Sequence, residues 1–257
     1  MVLSIGCKTK NINYIEYYNK THYIDSVFRF QKDTLLTIKL YKKHFRNYGF
    51  HNQERLRELE TYFLLCHYKG KKFGGKKSLY KLIDLITPFK QRYKDYSFFE
   101  KYGIDSIEIE KRYQKVEKKY NKILIDSFSI ALVRDQEFRK NYDKIKMKNA
   151  DLQNIQLLKW SLKNYGFPSL SKVGSVGNWQ DQSFYSVLFI HFCYPEEMQY
   201  LRENLLPYIK SGECNPYSYA AMIDRYCIQE ENTNSYYYAR HNFEELTHKD
   251  SIIINKR

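Results

Sequence analysis

Apolar residues recur at intervals of three and four along most of this chain, and the pattern runs longest between Tyr102 and Ile145. In "YGIDSIEIEKRYQKVEKKYNKILIDSFSIALVRDQEFRKNYDKI" one stripe comprises Ile109, Tyr113, Val116, Tyr120 and Ile123. A second comprises Leu124, Phe128, Ala131, Asp135, Phe138, Tyr142 and Ile145. A 3.6-residue period brings such positions to one helical face, whereas a half-buried strand alternates every second residue. Asp105 with Glu108 has the spacing of a capping box, which opens a helix by satisfying its first N–H groups. One member of the second stripe, Asp135, is charged, and a carboxylate there has to be paired or hydrogen-bonded if it is buried.

Shorter stretches repeat the period. Leu56, Leu59, Phe63 and Cys66 share one face, as do Leu79, Leu82, Ile83 and Ile86 before Pro88, and Leu152, Ile155, Leu158 and Leu162 before Gly166. Phe184, Val187, Leu188 and His191 also fit a helix, although "VLFIHF" alone would serve as a buried strand. Pro195 with Glu196 and Glu197 opens another helix, the acids lying where its dipole favours them. Asn215-Pro216 reads as a cap and first position of a helix carrying Tyr219, Met222, Ile223 and Tyr226. The fold class expected is mainly α, a helical bundle.

The bundle reads as two related units. The letters NYGF occur at Asn47–Phe50 and again at Asn164–Phe167. "IDSVFRFQKD" from Ile24 parallels "IDSFSIALVRD" from Ile125, "YFLLCHY" ending at Tyr68 parallels "YSVLFIHF" ending at Phe192, "LITPFK" from Leu85 parallels "LLPYIK" from Leu205, and "IEKRY" from Ile109 parallels "MIDRY" from Met222. Five echoes in one order point to an internal duplication. The organisation expected is an N-terminal segment 1–21, a helical unit 22–123, a second unit 124–245 and a polar tail 246–257.

Charge divides the same way. The net charge is +14, and residues 1–125 hold 27 Lys and Arg against 13 Asp and Glu while the remainder holds 16 of each. The basic excess in residues 22–123 suits an anionic partner, whether an acidic protein, membrane headgroups or nucleic acid, with a solvated lysine surface as the plain alternative. Within it "KGKKFGGKK", Lys69–Lys77, reads as a solvated glycine-lysine loop without the GxxxxGK[ST] spacing of a Walker phosphate loop. Five irregularly spaced cysteines, at 7, 66, 193, 214 and 227, argue against a disulfide framework, and His191 with Cys193 and Cys214 or Cys227 lacks structural zinc spacing, so neither metal nor cofactor is expected. "LSIGCK", Leu3–Lys8, is similar to the end of a bacterial lipoprotein signal with Cys7 as the lipidated residue, but lacks the preceding basic and apolar regions. Membrane anchoring through Cys7 and a cytoplasmic location therefore both stand as expectations.

Polar residues of the second unit gather where helices begin, end or face inward. They are Asp135, Gln136 and Arg139 in "RDQEFR", Asp151 and Asn154 in "ADLQN", His191, Glu213 after Gly212, Asp224 and Arg225 in "IDRY", and Tyr238, Arg240 and His241 in "YYYARH". This series resembles a bacterial domain family of unknown function, number 6624, whose members show Asp-Gln-x-x-Arg, Asp-x-x-Asn, Gly-Trp-Pro, Val-Gly, Gln-His-Ala-Asp, Gly-Glu, Tyr-x-x-x-x-Asp-Arg and Tyr-Gly-Thr-Gln in that order. Gly166, Pro168, Val173, Gly174 and Tyr219 also fall on the pattern. Phe167 stands for the Trp, "HFCYPE" lacks the Asp after the His, and "YARH" replaces the closing motif. Of the inward polar set the first unit retains only Asp33 and His67 as counterparts.

Two functions follow as expectations. One is a binding or interaction module, with a partly degenerate polar pocket in the second half and a basic first half, nucleic-acid binding being a variant of it. The other is a hydrolase or transferase acting on an anionic substrate, with His191 as general acid or base, Glu213 and Asp224 orienting it, and Asp135, Gln136, Arg139, Asp151, Asn154, Arg225, Tyr238 and His241 around the substrate.

Overall fold

The computed structural model describes residues 13–50, 56–92, 96–139, 142–175 and 184–229. Among them lie twelve α-helices and no strand. The first unit contains α1 (Tyr14–Ser26), continued by a π-helical turn at Val27–Gln31, α2 (Thr34–Tyr48), α3 (Leu56–Tyr68), α4 (Gly75–Ile86), α5 (Ser97–Glu100) and α6 (Ser106–Glu117). The second contains α7 (Lys122–Glu137), α8 (Lys144–Asn164), α9 (Leu170–Val173), α10 (Phe184–Phe189), α11 (Pro195–Lys210) and α12 (Pro216–Gln229). No described helix is long and apolar enough to cross a membrane. Cys7, Tyr238, Arg240 and His241 lie outside the described residues.

Local chemistry sets the helix starts. Asn13, Asp33, Asp105, Asn121 and Asp143 each accept a backbone N–H from two or three residues on, at 3.1, 2.9, 2.7, 3.2 and 3.1 Å. Each such cap is worth about 1 kcal/mol. At Asp105 the carboxylate of Glu108 turns away, accepting from the Tyr80 hydroxyl and pairing with Lys76 Nζ at 3.1 Å. Asn215 Oδ1 accepts from Tyr217 N at 2.9 Å, with Pro216 in the first helical position.

The long periodic stretch is not one continuous element. It breaks at residues 118–121, where Asn121 caps α7 and donates its own N–H to the Lys172 carbonyl at 2.7 Å. The second stripe also ends early: Tyr142 is 84% and Ile145 76% exposed, because α7 stops at Glu137 and Asp143 starts α8 in a new register. "VLFIHF" is helical up to Phe189 and then turns, so the strand alternative is not realised.

Buried side chains form two large clusters, one drawn from Ile24–Tyr113 and the other from Leu124–Cys227, with a small group of Tyr14, Tyr17, Tyr18 and Tyr48 beside them. Helix α1 runs across residue 21, lies on α2 and also meets α11. There a Cβ on Gly212, whose φ is +79°, would fall 2.8 Å from the Tyr14 ring. Gly174, with φ of +64°, lies under Tyr120 in the same way at 2.5 Å. Both positions need glycine for backbone and for space.

Each of the five echoes falls in or at the end of a helix in both halves. The first falls at the end of α1 and in α7, NYGF at the ends of α2 and α8, the third in α3 and α10, the fourth at the ends of α4 and α11, and the last in α6 and α12. Helix α1 packs on α2 as α7 does on α8, and α4 on α6 as α11 does on α12.

Candidate functional site

The charge on the apolar stripe is the centre of the second unit. Asp135, 1% exposed in the last turn of α7, receives Arg139 Nη2 at 2.9 Å, Gln136 Nε2, and the Nδ1 of His191 at 2.8 Å. Arg139 follows Asp135 by one turn, and its guanidinium also bonds Asp151 of α8. Tyr194, at the cap of α11, donates its hydroxyl to the other Asp151 oxygen at 2.8 Å. Asn154, one turn beyond Asp151, accepts from Arg134 Nη1 at 3.1 Å and donates to the Ala131 carbonyl at 3.2 Å, which locks α7 to α8. The network therefore joins α7, α8 and the turn between α10 and α11.

Ionised Asp135 can only accept, so His191 donates through Nδ1 and keeps a bare lone pair on Nε2. No described residue hydrogen-bonds that nitrogen. Burial pushes the imidazole below its usual value, against the pull of Asp135 and with the help of Arg139 and Arg225, which favours the neutral ring. Burial raises the Asp135 carboxyl, but the bonds from His191 and Arg139 outweigh it and hold the group below the usual carboxylate range. Asp151 goes the other way. Burial and the charge of Asp135 lift it to about 6 despite Tyr194 and Arg139. Two neighbouring carboxyls held apart in this way are characteristic of sites that move protons.

Asp135, Asp151 and His191 also bring three potential metal-ligating atoms within 4.8 Å of one another. Arg139 already binds both carboxylates, so a divalent ion would have to displace a guanidinium, and the set fits an internal cation better than a metal.

The sequence-derived residues are only partly gathered. Asp135, Gln136, Arg139, Asp151 and His191 make one network, Asn154 supports it, and Arg225 of α12 lends positive charge to His191 and Asp151 while donating to Gln229 at 3.0 Å. Asp224 is wholly buried on α12. Glu213 has different work. It accepts from Lys172 Nζ at 3.1 Å, and the same ammonium donates to the carbonyls of Tyr165 and Phe167, which ties the loop after α8 to the end of α11. The partner of His191 is thus Asp135 and not Glu213. Tyr194 and Arg134 were not among the residues expected. Tyr194 stands three places after His191 and directly before the helix-opening Pro195, and that position is the only cue the sequence holds.

A scan against protein-family models gave no match, and searches of curated proteins and of solved structures gave none either.

Proposed function

We propose that residues 124–229 form an acid–base site of hydrolase or transferase type for a small anionic substrate. His191 Nε2 acts as the base, Asp135 as the residue that sets its tautomer, and Arg139 and Arg225 as the positive field in which the anion lies. The observation that carries this reading is the 2.8 Å bond from His191 Nδ1 to a carboxylate that is itself held ionised by Arg139, with Nε2 left bare. A proton leaving the substrate or its attacking water would pass to Nε2, and Asp135 would stabilise the imidazolium that results. The order of echoes further supports reading the two halves as copies of one helical unit, of which only the second pairs its carboxylate with its histidine; the counterparts in the first, Asp33 and His67, instead cap α2 and bond Tyr102.

One observation favours a second reading, a binding module in which the network simply clamps three helices. Each Asp151 oxygen already has a protein partner, and Arg139 is occupied by two carboxylates. Turnover of a chromogenic phosphate monoester and a chromogenic carboxylic ester by the full chain and by His191→Gln decides between them. The catalytic reading expects wild-type turnover of at least one ester and a loss of about a hundredfold in the variant. No turnover by the wild type, with a lowered unfolding midpoint for the variant, supports the clamp instead.

A further inference from the structure

The glycine-lysine loop between α3 and α4 is not merely a solvated connection. It borders a cleft of about 400 Å³, whose wall includes His67, Phe73 and Tyr102 and whose rim carries Lys71 and Lys72. That volume falls within the ordinary range of small-molecule sites.

The lining is one-sided in charge. No carboxylate belongs to it. The ammonium groups of Lys71 and Lys72 have no ion-pair or hydrogen-bond partner among the described residues, whereas that of the nearby Lys76 is committed to the Gly103 carbonyl at 2.8 Å and to Glu108. Helix α4 starts at this cleft with no side-chain cap and no acid in its first turn. Its leading N–H groups, which no helical carbonyl can satisfy, therefore add a positive end to the two free ammonium groups. Gly74 keeps the entrance to that turn narrow in sequence space: its φ is +100°, and a Cβ there would fall 2.2 Å from Ser78 Oγ.

The lining is also aromatic. Phe73 and Tyr102 meet edge to face at 5.3 Å, and Tyr102 is fixed by a 2.7 Å bond between its hydroxyl and His67 Nδ1. A ligand that satisfies both features needs a doubly charged group for the lysines and a flat, weakly polar body for the rings. We propose that this cleft binds a phosphate monoester carrying a small planar group, of the kind a nucleoside monophosphate represents. The loop lacks Walker spacing, so recognition here rests on free lysines and an aromatic wall and requires neither a triphosphate nor its magnesium. This site belongs to the first unit and does not depend on the reading of His191.

The test is calorimetric titration of the full chain at low salt with adenosine monophosphate, adenosine and inorganic phosphate, repeated on the Lys71→Ala/Lys72→Ala variant. Both lysines are exposed and their ammonium groups unpaired, so the variant keeps the fold, which circular dichroism verifies. Saturable binding of the monophosphate is expected. Adenosine should bind at least about tenfold more weakly, inorganic phosphate should also bind more weakly than the monophosphate, and the double variant should lose about tenfold in affinity or more. Amide shifts on binding should concentrate in residues 66–77 and at Tyr102. No saturable binding in the millimolar range, equal affinity for adenosine, or an unaffected double variant overturns the proposal. So does binding seen only with an RNA oligonucleotide or with anionic vesicles.

Discussion

The two halves of this chain carry their charge in opposite places. In the first, the basic excess is on the surface, and the buried polar groups are almost all neutral: Thr21, Thr37, His44, Ser78 and Thr87, with Glu58 the one buried carboxylate among the described residues. In the second, which is neutral overall, Asp135, Asp151, Glu197 and Asp224 are all buried. A buried histidine in each half makes the consequence concrete. His44 bonds Thr21 at 3.1 Å and is packed among Tyr17, Phe45 and Tyr48, so burial, with a smaller push from the charge of Lys20, drives its ring down to about 4. His191 is also enclosed, yet Asp135 gives it a fixed tautomer and a charge to work against. Net charge along a sequence reports the surface, while the capacity for proton chemistry depends on the few charges a core can hold.

The sharpest way to break this contrast is to remove one arginine from each half. Arg139→Met leaves two buried carboxylates without a counter-charge and should cost about 3–5 kcal/mol in urea unfolding. Arg112→Met removes a partly exposed pair with Asp84, bonded at 2.9 and 2.6 Å, and should cost about 1 kcal/mol or less. Equal costs would mean that the second half is not organised around its buried charges.

Acid should separate the halves next. His44 has a folded value near 4 against 6.5 unfolded, so the unfolded chain takes up the proton first, and stability falls as pH drops through that window. The loss is on the order of 3 kcal/mol, and His44→Gln should remove it. Asp151 has the opposite sign. Its raised folded value, about 6, means that the folded state binds the proton first, so stability rises as pH falls from about 6 towards the usual 3.8. Asp151→Asn should therefore steepen the acid loss. Thermal melts between pH 7 and 4 on the three proteins check both signs.

How much of this was legible beforehand depends on the range of the interactions. The helical faces, the Asp105, Asn215 and Gly166 boundaries and the Asp135–Arg139 pair are local, set by spacings of three or four residues, and the sequence displays them directly. The partner of His191 lies 56 positions away, and that of Glu213 lies 41, so nothing in their neighbourhood announces either. Tyr194 was missed for the same reason, since a tyrosine before a proline reads as a helix entry and not as a donor to α8. The break between α6 and α7 was hidden because the apolar spacing continues through it. It forms because the Asn121 side chain and N–H both find partners, the latter in α9 of the second unit.

A smaller effect sharpens the network itself. Tyr194→Phe removes the 2.8 Å bond to Asp151 and should cost about 1 kcal/mol. Because that bond favours the ionised carboxylate, its loss should also push Asp151 further up, visible as an upward shift in the side-chain carbonyl titration by NMR.

The central claim is that Asp135 fixes His191 as a neutral base with a bare Nε2. Long-range nitrogen–proton correlation spectra of the full chain at pH 7 test it directly, with Asp135→Asn as the comparison. The account predicts a protonated Nδ1 and an unprotonated Nε2 in the wild type, and a mixture of tautomers in the variant. A wild-type ring protonated at Nε2, alone or as the imidazolium, would contradict it.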